Sequence, residues 1–216
     1  TNFYAVYASP NGGKVTGSET LTYTENFNSL AMAVASYPAS YTWTTGNVRW
    51  ESQSMCITEY TYSGVQRKNA RFIQSHSPAY LITKNKIHDL SKITFTAHRG
   101  GTSTLVVQYS HDGTAWSPIT QANGTGITWT IATTGFTEQT VDITQSNIPI
   151  GDYFIRFVIS SSENSAQLNI DDIQFYTQSR SMWYSDYSNG CDVAGSATLT
   201  YKDTDGSTTI GTPHAA

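Results

Sequence analysis

The sequence predicts an all-β fold, an antiparallel sandwich or barrel, from three observations. Apolar residues recur with a period of two in run after run, helical periodicity is nearly absent, and Gly, Asn, Asp or Pro usually parts one run from the next. Each such run has one apolar face, which needs a facing sheet to bury it. ETLTYTENF (19–27) sets Leu21, Tyr23 and then Glu25 against a threonine face. NVRWESQSMCITEY (47–60) alternates weakly around Val48, Trp50 and the Met55–Ile57 region. NARFIQS and AYLITK follow, parted by Ser77-Pro78. SKITFTAHR places Ile93, Phe95 and Ala97 on one face and Lys92, Thr94 and Thr96 on the other. TSTLVVQYS, EQTVDIT, GDYFIRFVIS and AQLNIDDIQFY complete the series. NSLAMAVASY (28–37) could hold a helical turn, which Pro38 and Ser40 would stop.

The domain reading has three parts. Residues 18–177 form the sandwich. Residues 1–17 carry a strand, FYAVYA, and a loop; 178–216 are polar and carry TLTYKDTDGSTTIGT. The two flanks either pair with each other or belong to neighbouring repeats of a longer protein.

Composition excludes several function classes. Charged residues are 13% of the 216, about half of the roughly 25% usual in soluble domains, and the net charge is −4. No basic block exceeds Arg67-Lys68, which argues against nucleic acid or an anionic membrane surface as partner. No apolar run approaches the roughly 20 residues of a transmembrane helix. The Thr, Tyr and Asn richness points to a secreted or cell-surface protein. Cys56 and Cys191 are the only cysteines, and whether they pair is open.

QYSHDGTAWSPI (108–119) resembles the Ser-x-Asp-x-Gly-x-x-Trp box of sialidase-type propellers, with Asp112 and Gly113 adjacent where that box has one residue between. The expected role is a tight type I′ hairpin turn, with Trp116 packed beside it to fix the register. Catalytic constellations are missing: no H-E-x-x-H, no Cys-x-x-Cys, no Gly-x-Ser-x-Gly elbow, and no acid pair singled out by spacing. The expectation is therefore no enzymatic activity, with a hydrolase a distant third reading.

Two places carry more. In LNIDDIQFY, strict alternation puts Ile170 and Asp172 on one side and Asp171 and Ile173 on the other, so one acid faces apolar company and needs a partner. In YTENFN, Glu25 lies between Tyr23 and Phe27 on an equally apolar strand. Together with backbone carbonyls, Glu25, Asp171 and Asp172 would make an oxygen-only site suited to Ca²⁺.

ETLTYTENFN, YSHDGTAW and YFIRFVISSSENSAQLNIDDIQF together resemble the jelly-roll modules attached to secreted Bacteroidetes proteins, related to MAM-like, choice-of-anchor and carbohydrate-binding sandwiches. The likeness spans roughly 18–177. It implies a two-sheet jelly roll whose first and last strands are neighbours, with a structural Ca²⁺ between them; Glu25 and Asp171 match the motif acids, and Asp172 comes third. It implies a non-catalytic, carbohydrate-binding function, the alternative being a structural or adhesin-like module beside neighbouring domains of one polypeptide. Sugar-binding surfaces present aromatic rings and hydrogen-bonding side chains. The ligand candidates for a polysaccharide or glycan are Trp43, Trp50, Trp129, Tyr60, Arg49 and Arg71, with Gln53 and Tyr62 nearby.

Overall fold

The computed structural model describes residues 13–15, 17–30, 40–62, 64–73, 79–100, 103–131, 135–159, 167–178, 182–184, 198–199 and 214–215. The chain divides into two compact units, 19–177 and the flanks 1–18 with 178–216. In the flank unit, β1 (Gly13–Val15) pairs antiparallel with β15 (Met182–Tyr184), and β16 (Thr198–Leu199) with β17 (His214–Ala215). FYAVYA and most of the 198–212 run, the two flank strands whose pairing the sequence leaves open, lie outside the described residues.

The 19–177 unit is an antiparallel β-sandwich. One layer runs β5 (Met55–Tyr62), β6 (Val65–Ile73), β14 (Gln167–Gln178), β8 (Ile87–Gly100) and β12 (Thr137–Asp142), with β2 (Glu19–Glu25) also on β14. The other runs β3 (Tyr41–Thr45), β4 (Val48–Gln53), β7 (Tyr80–Thr83), β13 (Gly151–Ile159) and β9 (Ser103–Ser110). Two short strands, β10 (Ser117–Pro118) and β11 (Thr128–Ile131), both pair with β9. The start of β13 also pairs with β8, at Gly151↔Leu90 and Tyr153↔Ile87, so the layers join there into one curled sheet. From β6 to β9 and again from β12 to β14, successive strands alternate between layers, which is how each buries its apolar face against the other.

The period-two pattern places the core. Every second residue of β13 is buried, from Gly151 to Ile159. Ile93, Phe95 and Ala97 of β8 are buried together, and Phe95 meets Phe157 of β13 edge-on, with ring centroids 5.4 Å apart. Each large apolar side chain of this kind contributes about 1.5–3 kcal/mol by leaving water. On β4 the alternation is strict: Val48, Trp50 and Ser52 point in, while Arg49, Glu51 and Gln53 point out. Among the described residues the one helical element is a 3-10 turn, Ile143–Gln145, capped by Asp142. Residues 31–39, most of the predicted helical turn, lie outside the described residues. Cys56 is buried on β5, and Cys191 is also outside the described set.

The Asp112-Gly113 segment does join β9 to a partner strand, with Ser117↔Tyr109 and Pro118↔Gln108 in register. It is not the expected type I′ turn. Only Gly113 has positive φ, at 78°, and residues 111–116 make a wider loop. Asp112 organises that loop as an acceptor: its Oδ1 receives the N–H groups of Thr114 (2.8 Å) and Ala115 (2.9 Å) and the Ser110 hydroxyl (2.9 Å). Those bonds hold the Asp112 carboxyl well below the usual carboxylate range.

The chain crosses between layers at Ser54, which joins β4 to β5 and sits at φ 55°, a left-handed conformation that side chains with a Cβ resist. Replacing it separates strain from other roles. Ser54→Val should lower stability by about 1–2 kcal/mol, because a branched Cβ fits that region worst. Ser54→Gly should leave the thermal midpoint unchanged or raise it; paired melting curves check the order.

Candidate functional site

The first candidate is the buried seam between β2 and β14. Tyr23, Glu25 and Phe27 are buried along β2 and the turn after it, and Thr22 Oγ1 donates to the Phe175 carbonyl of β14 (3.2 Å). Glu25 is fully buried and accepts three hydrogen bonds: from Phe27 N–H (2.7 Å), Trp43 Nε1 (3.0 Å) and the Tyr23 hydroxyl (3.1 Å). Trp50 Nε1 donates in turn to the Tyr23 oxygen at 2.6 Å. Burial pushes the Tyr23 phenol far above its ordinary value, with Glu25 adding to the rise, so its proton stays available to donate.

This seam corrects two sequence expectations. Trp43 (8% exposed) and Trp50 (0%) are not surface platforms. They are cross-strand partners on β3 and β4, stacked at 6.2 Å and 16°, and Trp50 stacks onward on Phe175 at 5.9 Å. The reason is their register: both lie on the inward face, and both indole N–H groups have acceptors there.

The acid pair on β14 also departs from strict alternation. Asp172 takes φ 48°, and the β14–β8 register shifts between Asp171 and Gln174, a bulge that absorbs one residue. Ile170 and Ile173 therefore both reach the core, and the acids part. Asp171 is buried at 2% exposure, its Oδ1 accepting the Asp172 N–H at 2.8 Å. Asp172 turns to Arg67, with Nη1 and Oδ2 2.7 Å apart. The carboxyl of Asp171 is pushed up to about 7, by burial first, then by the neighbouring Asp172, with Glu25 also raising it against the Arg67 charge. Next to Arg67, Lys68 places its ammonium on the Leu30 carbonyl (2.6 Å) and the Asn28 carbonyl (3.5 Å), fastening the turn after β2 to β6. Among the described residues no three acidic, His or Cys side chains gather as a metal cluster.

The second candidate is the outward face of the β3–β4–β7–β13–β9–β10 layer. Paired positions line up across six strands as Thr42, Glu51, Ile82, Arg156, Gln108 and Pro118. Above this row the Arg156 guanidinium lies between two partly exposed rings, 4.6 Å from Trp116 and 5.9 Å from Tyr80. Gln108 Oε1 accepts from Arg156 Nε (2.8 Å) and Nη2 (2.6 Å). Glu51 holds Lys84 at 3.2 Å and, after burial, is the second cause that raises the Tyr80 phenol. Lys86 lies 6.0 Å from the Phe154 ring on the same side.

The remaining predicted residues fall in different places. Arg49 is exposed on the outward side of β4, two residues from Glu51. Tyr60 and Arg71 instead meet on the other layer through His98. The Tyr60 ring is 4.7 Å from His98, and Arg71 Nε donates to Asn169 (3.0 Å), whose Nδ2 lies 3.3 Å from His98 Nδ1. Trp129 is opposite Leu105 in the β11–β9 pairing, and its side chain, like that of Tyr62, lies outside the described residues. Sequence reasoning missed Tyr80, Trp116, Gln108 and Arg156 as one site. The available signal was Trp116 itself, the partly exposed end of the Ser110–Asp112–Trp116 box.

No family profile and no curated protein matches the chain. Among solved structures, it is similar to the K2 cleaved adhesin domain of Lys-gingipain, with 17% identity over 71% of this chain and 96% of that one, at a TM-score of 0.47. A mutant of a family 29 carbohydrate-binding module shares 11% identity over 74% of this chain and 92% of that one, at a TM-score of 0.43. A family 61 module in complex with β-1,4-galactotriose shares 7% over 71% and 94%, at 0.40. At these identities and scores the likenesses carry no argument about ligand or activity. No described helix is long and apolar enough to cross a membrane.

The shifted carboxyl gives a pH dependence with a definite sign. Folded, Asp171 keeps its proton to about pH 7; unfolded, it loses it near the ordinary value of 3.8. Between these values the folded chain binds more protons, so this group's contribution to stability falls as pH rises across the window. Thermal midpoints should decline from about pH 4 to about pH 7, and Asp171→Asn should flatten that decline; equal slopes in both proteins would contradict the assignment.

Proposed function

We propose that the 19–177 unit is a non-catalytic carbohydrate-binding module of an exported or cell-surface protein, and that its glycan lies on the outward face of the β13 layer. The observation that carries this reading is the Tyr80–Arg156–Trp116 arrangement above the Glu51–Ile82–Arg156–Gln108 row. Partly exposed rings offer apolar faces to pyranose C–H groups, while fixed amide, carboxylate and guanidinium groups meet hydroxyls. These rings stand on strands and on a loop braced by Asp112, so little ordering is left to binding. A hydrolase would need an acid pair open to its polymer, and the neighbouring acids Glu25 and Asp171 are both buried. A second reading, a structural or adhesive module beside neighbouring domains, is favoured by the separate unit that the two flanks build together.

The test is affinity electrophoresis of the full chain through a polysaccharide panel. Trp116→Ala and Tyr80→Ala should each weaken retardation by about fivefold or more while the melting curve stays put, since stacking contacts are worth about 1 kcal/mol and upward. Trp50→Ala should act oppositely, costing about 3–5 kcal/mol of stability as a core deletion. Failure of any polysaccharide to retard folded protein would reject the reading.

We further propose a structural Ca²⁺ at the β2–β14 seam. Glu25 and Asp171 supply buried carboxylate oxygens, the kind of donor a hard cation takes, while the Asn28 and Leu30 carbonyls of the turn after β2 would join only by releasing Lys68. Asp172 would join only by releasing Arg67. A cation would favour the ionised form of Asp171, which burial first and then the neighbouring Asp172 disfavour. Added Ca²⁺ should raise the thermal midpoint, more so above pH 7 where Asp171 is ionised, and chelator should reverse it. A midpoint indifferent to both removes the metal.

A further inference from the structure

The outward face of the β13 layer also carries information about the chemical class of its ligand, an inference that rests on the glycan-binding role of that face. Arg156 has five N–H groups. Gln108 takes Nε and one N–H of Nη2, which leaves the Nη1 group and the second Nη2 N–H unused by it. Those two nitrogens form the edge of a guanidinium that pairs with a carboxylate through two parallel hydrogen bonds. Tyr80 and Trp116 flank the guanidinium on the same face, and Gln108 holds its other edge, so its orientation is set before any ligand arrives.

Among the described residues no carboxylate supplies that pairing from within. The described ion pairs join Arg67 to Asp172, Lys84 to Glu51, His88 to Asp152 and Lys92 to Glu19; none involves Arg156. Glu51, the acid in the same row, is engaged by Lys84. The surroundings favour an incoming anion as well. Arg49, Lys84, Lys86 and Arg156 stand on this side against Glu51, Asp152 and Asp112 of the loop that carries Trp116, although the whole chain has a net charge of −4. A half-buried cation braced by an uncharged amide and two rings, with its paired-donor edge unused, is built to receive a negative group.

We infer that the ligand is an acidic polysaccharide, a polymer containing uronic acid, whose carboxylate pairs with the Nη1–Nη2 edge of Arg156 while a neighbouring sugar ring lies against Trp116 or Tyr80. A neutral glycan would use the rings and leave the guanidinium without its partner.

The experiment compares one polymer in two charge states. The 216-residue chain is run by affinity electrophoresis, in about 0.15 M salt so that long-range attraction is screened, through polygalacturonate, its fully methyl-esterified form, alginate, a neutral galactan and poly-L-glutamate. Retardation by at least one uronic acid polymer at a tenfold or lower concentration than the methyl ester or the neutral galactan is expected. Arg156→Lys, which keeps the charge and loses the paired donors, should erase most of that preference, a loss on the order of tenfold. Arg156→Gln should erase it entirely, with the melting curves of both variants recorded alongside. Equal retardation by the acid and ester forms overturns the inference and leaves the carbohydrate-binding role standing. Retardation by poly-L-glutamate as strong as by the polyuronates also overturns it, by showing that charge alone is read. Retardation by none of the polysaccharides overturns the carbohydrate-binding role itself. The ester comparison needs only the wild-type chain, so it decides the matter even where a variant fails to fold.

Discussion

Polar tips on buried rings set the main constraint in this molecule. Two indoles and a phenol, from Trp43, Trp50 and Tyr23, are enclosed between the layers, and each brings a donor that apolar surroundings leave unsatisfied. The structure answers with a relay of donors that ends on one carboxylate. Glu25 receives Trp43 and Tyr23, Tyr23 receives Trp50, and the backbone of Phe27 closes the set. A buried donor without a partner costs about 1–3 kcal/mol, so the network as a whole outweighs any single contact in it. It also crosses the sandwich: Trp43 and Trp50 belong to one layer, Tyr23 and Phe175 to the other, and their rings form one stack.

That enclosure leaves the proposed glycan contact to the outward face. Strand β4 sends Trp50 inward and Glu51 outward, and β13 sends Ile155 inward and Arg156 outward. The indoles of Trp43 and Trp50 are thus given over to cohesion, and the proposed binding face draws on Tyr80 of β7 and Trp116 of the β9–β10 loop. Because inward and outward side chains alternate on the same strands, the scaffold fixes the spacing of the outward row without sharing residues with it. Fold and binding surface can then be perturbed separately.

Alternation made much of this legible in the sequence. Ile93, Phe95 and Ala97 on one face of β8 needed only period two, and the structure buries all three. The same rule failed in LNIDDIQFY, because a bulge adds a residue and flips the phase; Asp172 accepts φ 48° more readily than most residues, but no pattern marks where a register slips. Whether Trp43 and Trp50 meet a ligand or plug the sandwich stays open in the sequence, because a Trp beside a polar loop looks the same whether its indole meets water or a buried acceptor 18 or 27 residues away. Asp112-Gly113 looked like a tight turn; Asp112 proved to be a loop acceptor, and that wider loop lifts Trp116 onto Arg156. The pairing of Arg156 with Gln108, 48 residues apart, depends on strand order, which local pattern does not encode.

The β14 bulge has a further physical consequence. Without it, Asp171 and Asp172 would alternate and one of them would push into the core unaided. With it, Asp171 stays near Glu25 while Asp172 reaches Arg67, so one acid of the pair is neutralised by an ion pair and the other keeps a proton into the neutral range. Arg67 and Lys68 are neighbours on β6, and they fasten both sides of the seam: Arg67 the bulge on β14, Lys68 the carbonyls of the turn after β2. Adjacent side chains of one strand therefore bridge the two strands whose acids repel. The seam is closed by β6 cations from outside and by indole and phenol donors from inside, and Asp171 is a carboxyl that neither set neutralises.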